Sequence, residues 1–121
     1  MDVCVTVPMA MWESWIAEGD LPSEEWSGLE SHFNLGGNPP TIEVGERVYV
    51  VAFGRLRGYA PLRRIDLGRT WGEWRPGGFS LVRRGGAKAV TIAGPIRGFQ
   101  GFRYRWWKRE DEVLFPDWRE P

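Results

Sequence analysis

Arg47-Val48-Tyr49-Val50-Val51-Ala52-Phe53, followed beyond Gly54 to Arg57 by Gly58-Tyr59-Ala60-Pro61-Leu62-Arg63-Arg64-Ile65, is the stretch that decides the fold. Its first half is dense in β-branched and aromatic residues, which suit a pleated, half-buried surface, and a short turn separates it from the second. The pattern predicts a β-hairpin. Pro61 has no N–H to give to a ladder, so the second strand is placed at an edge or a bulge.

Upstream of this hairpin, Val3, Val5 and Val7 alternate with Cys4 and Thr6, the period of a strand with one buried face. Pro8 suits the first turn of a helix, Met9, Trp12 and Ile16 recur at helical spacing and Gly19 offers a stop, so a helix is expected over 8–18. A second is expected from Ser23, which can cap it, with Glu24 and Glu25 at its positive end. Its apolar stripe is Trp26, Leu29 and Phe33, and it ends before Gly36. Residues 34–40 then read as a loop, with two glycines and two prolines.

Downstream, 67–78 is a glycine-bounded loop carrying Trp71, Trp74 and Arg75. Segments 79–84 and 87–92 flank Gly85-Gly86, a pair that suits a two-residue hairpin turn. That turn would set Arg84 opposite Ala87 and Arg83 opposite Lys88. Gly94-Pro95 breaks the chain, and a last strand is expected over 102–107. The expected fold class is therefore α+β, a single domain over 1–121, in which two N-terminal helices pack at the side of a small β-barrel.

Composition narrows the function. The 121 residues are 42% hydrophobic and include eight Trp, enough for one packed core. No run approaches the roughly 18 apolar residues of a membrane span, and there is no signal-peptide pattern, so a soluble, cytoplasmic protein is expected. A single cysteine, Cys4, excludes an internal disulfide and a Cys-rich zinc site, and the lone His32 excludes two-histidine metal motifs. The turn Gly54-Arg55-Leu56-Arg57-Gly58 lacks the spacing of a phosphate loop. No cofactor is expected, and no pair of carboxylates is singled out for catalysis.

The net charge is zero, yet its distribution is uneven. Residues 1–46 hold nine acids and no Lys or Arg, residues 47–109 hold fifteen basic residues against Asp66 and Glu73, and the tail from Glu110 holds five acids against Arg119. Such segregation steers anions towards the middle of the chain, unless the acidic segments fold back and neutralise it. Arg83 and Lys88, side by side across the expected hairpin, would repel one another and so call for an anion or an acidic neighbour. In residues 97–109, Arg103, Arg105 and Trp107 would point one way from an extended strand, and Phe102, Tyr104 and Trp106 the other, towards the core. Guanidinium groups bind phosphates and stack on bases, and aromatic rings give stacking platforms, so the interleaving suits single-stranded nucleic acid.

The first strand, the segment Pro8 to Gly19, Gly45-Glu46-Arg47-Val48-Tyr49-Val50 and Gly58-Tyr59-Ala60 resemble the PUA-like superfamily, especially its ASCH and EVE branches, over roughly residues 3–65. The resemblance implies a partly open β-barrel with helices at its side, and binding of RNA or recognition of a modified base in an aromatic pocket. Where the ASCH pattern usually has a lysine after the helix-ending glycine, this chain has Asp20-Leu21-Pro22. The expected function is binding of RNA or DNA without catalysis, through Arg55, Arg57, Trp71, Trp74, Arg75, Arg83, Arg84, Lys88, Arg97, Arg103, Arg105 and Trp107. The alternatives are a protein-binding inhibitor or accessory module and an ASCH-type base- or nucleoside-modifying hydrolase.

Overall fold

The structure is a computed structural model that describes residues 1–13, 30–69, 75–84 and 87–121. The expected hairpin is its centre. Strand β3 (Arg47–Ala52) pairs antiparallel with β4 (Arg55–Arg69), around a turn in which Phe53 and Gly54 both take positive φ. β1 (Val3–Thr6) lies parallel to β3 on the other side, and β7 (Phe102–Tyr104) closes that edge antiparallel to β1. Beyond β4 come β5 (Arg75–Arg84) and then β2 (Glu30–Leu35). The six strands run β2-β5-β4-β3-β1-β7 and curl into a half-barrel. A two-stranded ribbon of β6 (Val90–Thr91) and β8 (Val113–Leu114) stands beside it.

β4 reaches across the curl by changing partners midway. Residues 55–61 pair with β3, and from Leu62 onward the strand pairs with β5. Pro61 stands directly before the change, inside the sheet rather than at its edge, and the register shifts just beyond it, between Leu62 and Arg64, in keeping with the bulge alternative. Leu62 makes the bonds there, donating to the Glu46 carbonyl at 2.8 Å and accepting from Gly45 N–H at 2.9 Å, so the missing N–H of Pro61 costs no ladder bond.

Three expectations are overturned. The α+β class with two N-terminal helices gives way to a mostly β fold, in which no helix of seven or more residues occurs among the described residues. Of the first expected helix the described part is a 3-10 turn over Met9–Met11 running into Trp12, and the remainder lies outside the described residues. The end of the second is β2: Phe33 and Leu35 pack against the core while His32 is exposed, a period of two. The free edge of β5 offers residues 30–35 six paired positions, and this tertiary pairing overrides the helical reading of Phe33; the rest of the second expected helix lies outside the described residues.

The third correction concerns Gly85-Gly86, which themselves lie outside the described residues. β5 is already paired on both edges, by β2 and β4, so 87–92 has no edge of β5 to fold back on. The chain instead keeps its direction along β4: Arg83 faces Leu62, and Lys88 forms a bridge with Tyr59, their backbone bonds 2.8 and 2.9 Å long. Arg83 and Lys88 are therefore not neighbours across a turn. Gly58 makes the crossing possible, since a Cβ there would lie 2.3 Å from the Lys88 carbonyl oxygen and its φ is +153°.

Both faces of the central strands are covered. Val3, Val5, Val48 and Val50 join Leu62, Phe79, Leu81, Phe115 and Trp118 on one face, and Cys4, Tyr49 and Val51 join Leu56, Val90, Ile92, Ile96 and Trp107 on the other. β1 thus buries both sides rather than the one its alternation suggested. The C-terminal segment supplies Trp107 to the second face and Phe115 and Trp118 to the first, so it straps the two together. Among the described residues no helix is long and apolar enough to cross a membrane.

Candidate nucleic-acid interface

Folding divides the expected site into residues it consumes and residues it leaves at the surface. Arg57 is 2% exposed: its Nε donates to the Ala52 carbonyl at 2.9 Å, and its NH1 donates to the carbonyls of Trp118 and Glu120 at 3.3 and 2.5 Å. Its guanidinium lies 5.3 Å from the Trp12 ring and 5.4 Å from that of Phe115, so Arg57 holds the C-terminal strap. Arg83 is wholly buried, donating from NH1 to the Val48 carbonyl at 2.9 Å and lying over Phe33 at 5.3 Å. Burial weakens the hold of both guanidinium groups on their protons. Neither meets a solvent-borne partner.

Trp107 is 8% exposed and belongs to the core, contrary to the alternation expected over 102–107. β7 ends at Tyr104, so the period of two does not carry on to the adjacent tryptophans: Trp107 turns in and Trp106, 53% exposed, turns out. Trp107 Nε1 donates to Glu112 Oε2 at 2.9 Å, Tyr49 OH donates to the same oxygen at 2.6 Å, and Arg47 NH1 donates to Glu112 Oε1 at 3.0 Å. Burial and the facing carboxylate raise the Tyr49 pKa well above its ordinary value. Arg47 also lies over the Tyr59 ring at 4.0 Å. From Tyr59 through Tyr49 and Trp107 to Trp106, each ring centroid is 5.0–5.2 Å from the next, an aromatic row that surfaces at Trp106.

Arg105 is half-buried and is bound by the acidic N-terminus: its Nε donates to Asp2 Oδ2 at 3.1 Å, and Arg109 NH2 donates to the same oxygen at 2.8 Å. Its NH1 donates to the Trp107 carbonyl. Burial alone would raise the Asp2 carboxyl, but hydrogen bonds from Arg47 N–H, Arg109 and Arg105 outweigh it and hold the pKa below the usual carboxylate range.

The exposed remainder is Arg55, Lys88, Arg97 and Arg103. Arg55 lies over Phe115 at 4.4 Å, and Arg103 over Phe99 at 4.6 Å. Trp71 and Trp74 lie outside the described residues, and of Arg75 and Arg84 only the backbone, in β5, is described. Tyr104 and Trp106, expected on the core face, are exposed instead, and so is Lys108, which was not among the expected site residues; the alternation rightly set Trp106 and Trp107 on opposite faces but assigned the two the wrong way round. Arg97, Phe99, Arg103, Tyr104, Trp106 and Lys108 all belong to one twelve-residue segment, and Arg97, Arg103 and Lys108 have no acidic partner among the described residues. Exposed Glu110 and Asp111 bound it on one side. No protein-family model, no curated protein and no solved structure matches the chain, so the likeness to PUA-like domains rests on its own short motifs alone.

Proposed function

We propose that this protein binds nucleic acid, RNA or DNA, through the surface of residues 97–108. The observation that supports the reading is selective survival. Folding withdraws Arg57, Arg83 and Trp107 into the core and pairs Arg105 and Arg109 with Asp2, while in the same segment Arg97, Arg103 and Lys108 stay exposed with no acidic partner among the described residues, and the rings of Tyr104 and Trp106 stay exposed too. Phosphates are the anions that such spaced cations serve, and an arginine laid flat on a ring is fixed to receive one.

Fluorescence anisotropy of a labelled oligonucleotide across a range of salt concentrations tests this. Three neutralised phosphates give a log–log slope of roughly 2 to 3. Replacing Arg97, Arg103 and Lys108 together by Ser removes most of that slope while the melting temperature stays put, since none of the three is buried. A salt-independent affinity, or unchanged binding by the triple variant, refutes the proposal.

A further inference from the structure

We infer that the site takes unpaired bases, so that its substrate class is single-stranded nucleic acid, with Trp106 as the stacking platform. This deepens the nucleic-acid reading and rests on it. Trp106 stands perpendicular to Trp107, at 86° with centroids 5.0 Å apart, and this geometry leaves at least one face of the exposed indole clear of its neighbour. The support beneath it is fixed. Trp107 is buried, bonded through Nε1 to Glu112, and held edge-to-face by Tyr49 at 5.1 Å. An indole seated against a fixed neighbour has less conformational freedom to give up on binding than an unsupported one. Five residues earlier in the chain from Lys108, Arg103 covers Phe99 and adds a second flat, cationic surface.

Strandedness follows from what such surfaces can reach. In a duplex the faces of the bases are stacked on one another, and only edges and phosphates are presented, so an exposed indole finds nothing to lie against. In a single strand every base has a free face, and stacking on an aromatic side chain adds to the phosphate contacts whatever the sequence. A surface of charge alone would have the opposite preference, because the duplex has the denser row of phosphates.

The experiment compares a labelled single strand of about 12 nucleotides, within the usual span of such sites, with the duplex of the same sequence, using the full chain and its Trp106→Ala and Trp106→Phe variants. The single strand binds at least about tenfold more tightly than the duplex. Trp106→Ala lowers single-strand affinity by about 5- to 150-fold, the range for one lost stacking contact, and leaves duplex affinity and the salt slope unchanged. Trp106→Phe keeps most of the affinity. The part of the tryptophan fluorescence that Trp106→Ala removes is also the part quenched by the single strand. Equal or tighter duplex binding with the salt slope intact overturns this inference and leaves the nucleic-acid reading standing. Failure of both forms to bind overturns the two together.

Discussion

Removing the Glu112 carboxylate tests whether the strap is held by its polar contacts. The side chain is 5% exposed and accepts from three donors, of which Tyr49 OH and Trp107 Nε1 lie deep against the second core face while Arg47 retains access to water. In Glu112→Ala the tyrosine and the indole each lose a buried acceptor, at about 1–3 kcal/mol apiece. Arg47 rehydrates in part and adds less, which puts the whole near 3–5 kcal/mol, the range for breaking a buried pair from one side. For a chain of this length that is a fall in melting temperature of roughly 10–25 °C. Glu112→Gln keeps an acceptor but turns an N–H2 towards at least one donor, so it costs less, about 1–3 kcal/mol. Tyr49→Phe, which removes one donor and leaves two, costs about 0.5–1.5 kcal/mol. Urea unfolding followed by circular dichroism measures all three. An Ala variant within about 1 kcal/mol of wild type, or one no worse than the Gln variant, refutes the argument that this carboxylate holds the strap.

Three further outcomes follow from the same geometry. Gly58→Ala puts a methyl group onto the Lys88 carbonyl at a left-handed φ, and loses at least about 2 kcal/mol in urea unfolding, whereas Gly54→Ala, with open space around it, loses less. Asp2 has a depressed pKa in the folded state, so its contribution is fully present above its unfolded pKa of about 3.9 and is lost as the pH falls through the lower folded value. Asp2→Asn is accordingly less stable near pH 7 and has a flatter acid limb in thermal melts from pH 7 to 2; an unchanged acid limb refutes the assignment. Arg57→Ala strands the carbonyls of Ala52, Trp118 and Glu120 and costs about 2–4 kcal/mol of stability, yet nucleic-acid affinity measured below its melting temperature stays at the wild-type level. Loss of affinity without loss of stability would return Arg57 to the binding surface.

What the sequence disclosed was governed by how local the deciding interactions are. The β3–β4 hairpin needs only its own residues and a short turn, and it was legible in Arg47 to Ile65. Residues 30–35 can satisfy a helical stripe or a strand equally well on their own, and the choice falls to β5, some fifty residues away. The glycine pair at 85–86 had a hairpin's composition, but the edge it would have needed was taken by β2, again a distant partner. Of the expected architecture, the barrel is met by a curled half-barrel sheet, while no helix of seven or more residues occurs among the described residues. Arg57 and Arg83 are expected at the surface because arginine is rarely buried, and backbone carbonyls supplied by Ala52, Val48 and the strap help to make their burial tolerable.

The separation of charge along the chain takes on a different meaning once the strands are placed. Read linearly, an acidic head, a basic middle and an acidic tail suggest one large dipole. In space, Asp2 of the head binds Arg105 and Arg109 of the middle, and Glu112 of the tail binds Arg47, so the acids serve as ties between distant parts of the chain. Each tie also fixes a neighbour of the proposed surface: Asp2 fixes the two arginines beside Trp106 and Lys108, and Glu112 fixes the tryptophan beneath Trp106. Neutralisation and binding are therefore not rival accounts of the basic residues. The ion pairs consume Arg47, Arg105 and Arg109, and they leave a set in the same segment, Arg97, Arg103 and Lys108, like Arg55 and Lys88 elsewhere, without an acidic partner among the described residues. A partner recognised by that set meets about three charges rather than thirteen, which is why a moderate salt slope, and not the steep one that the linear sequence suggests, is the signature to look for.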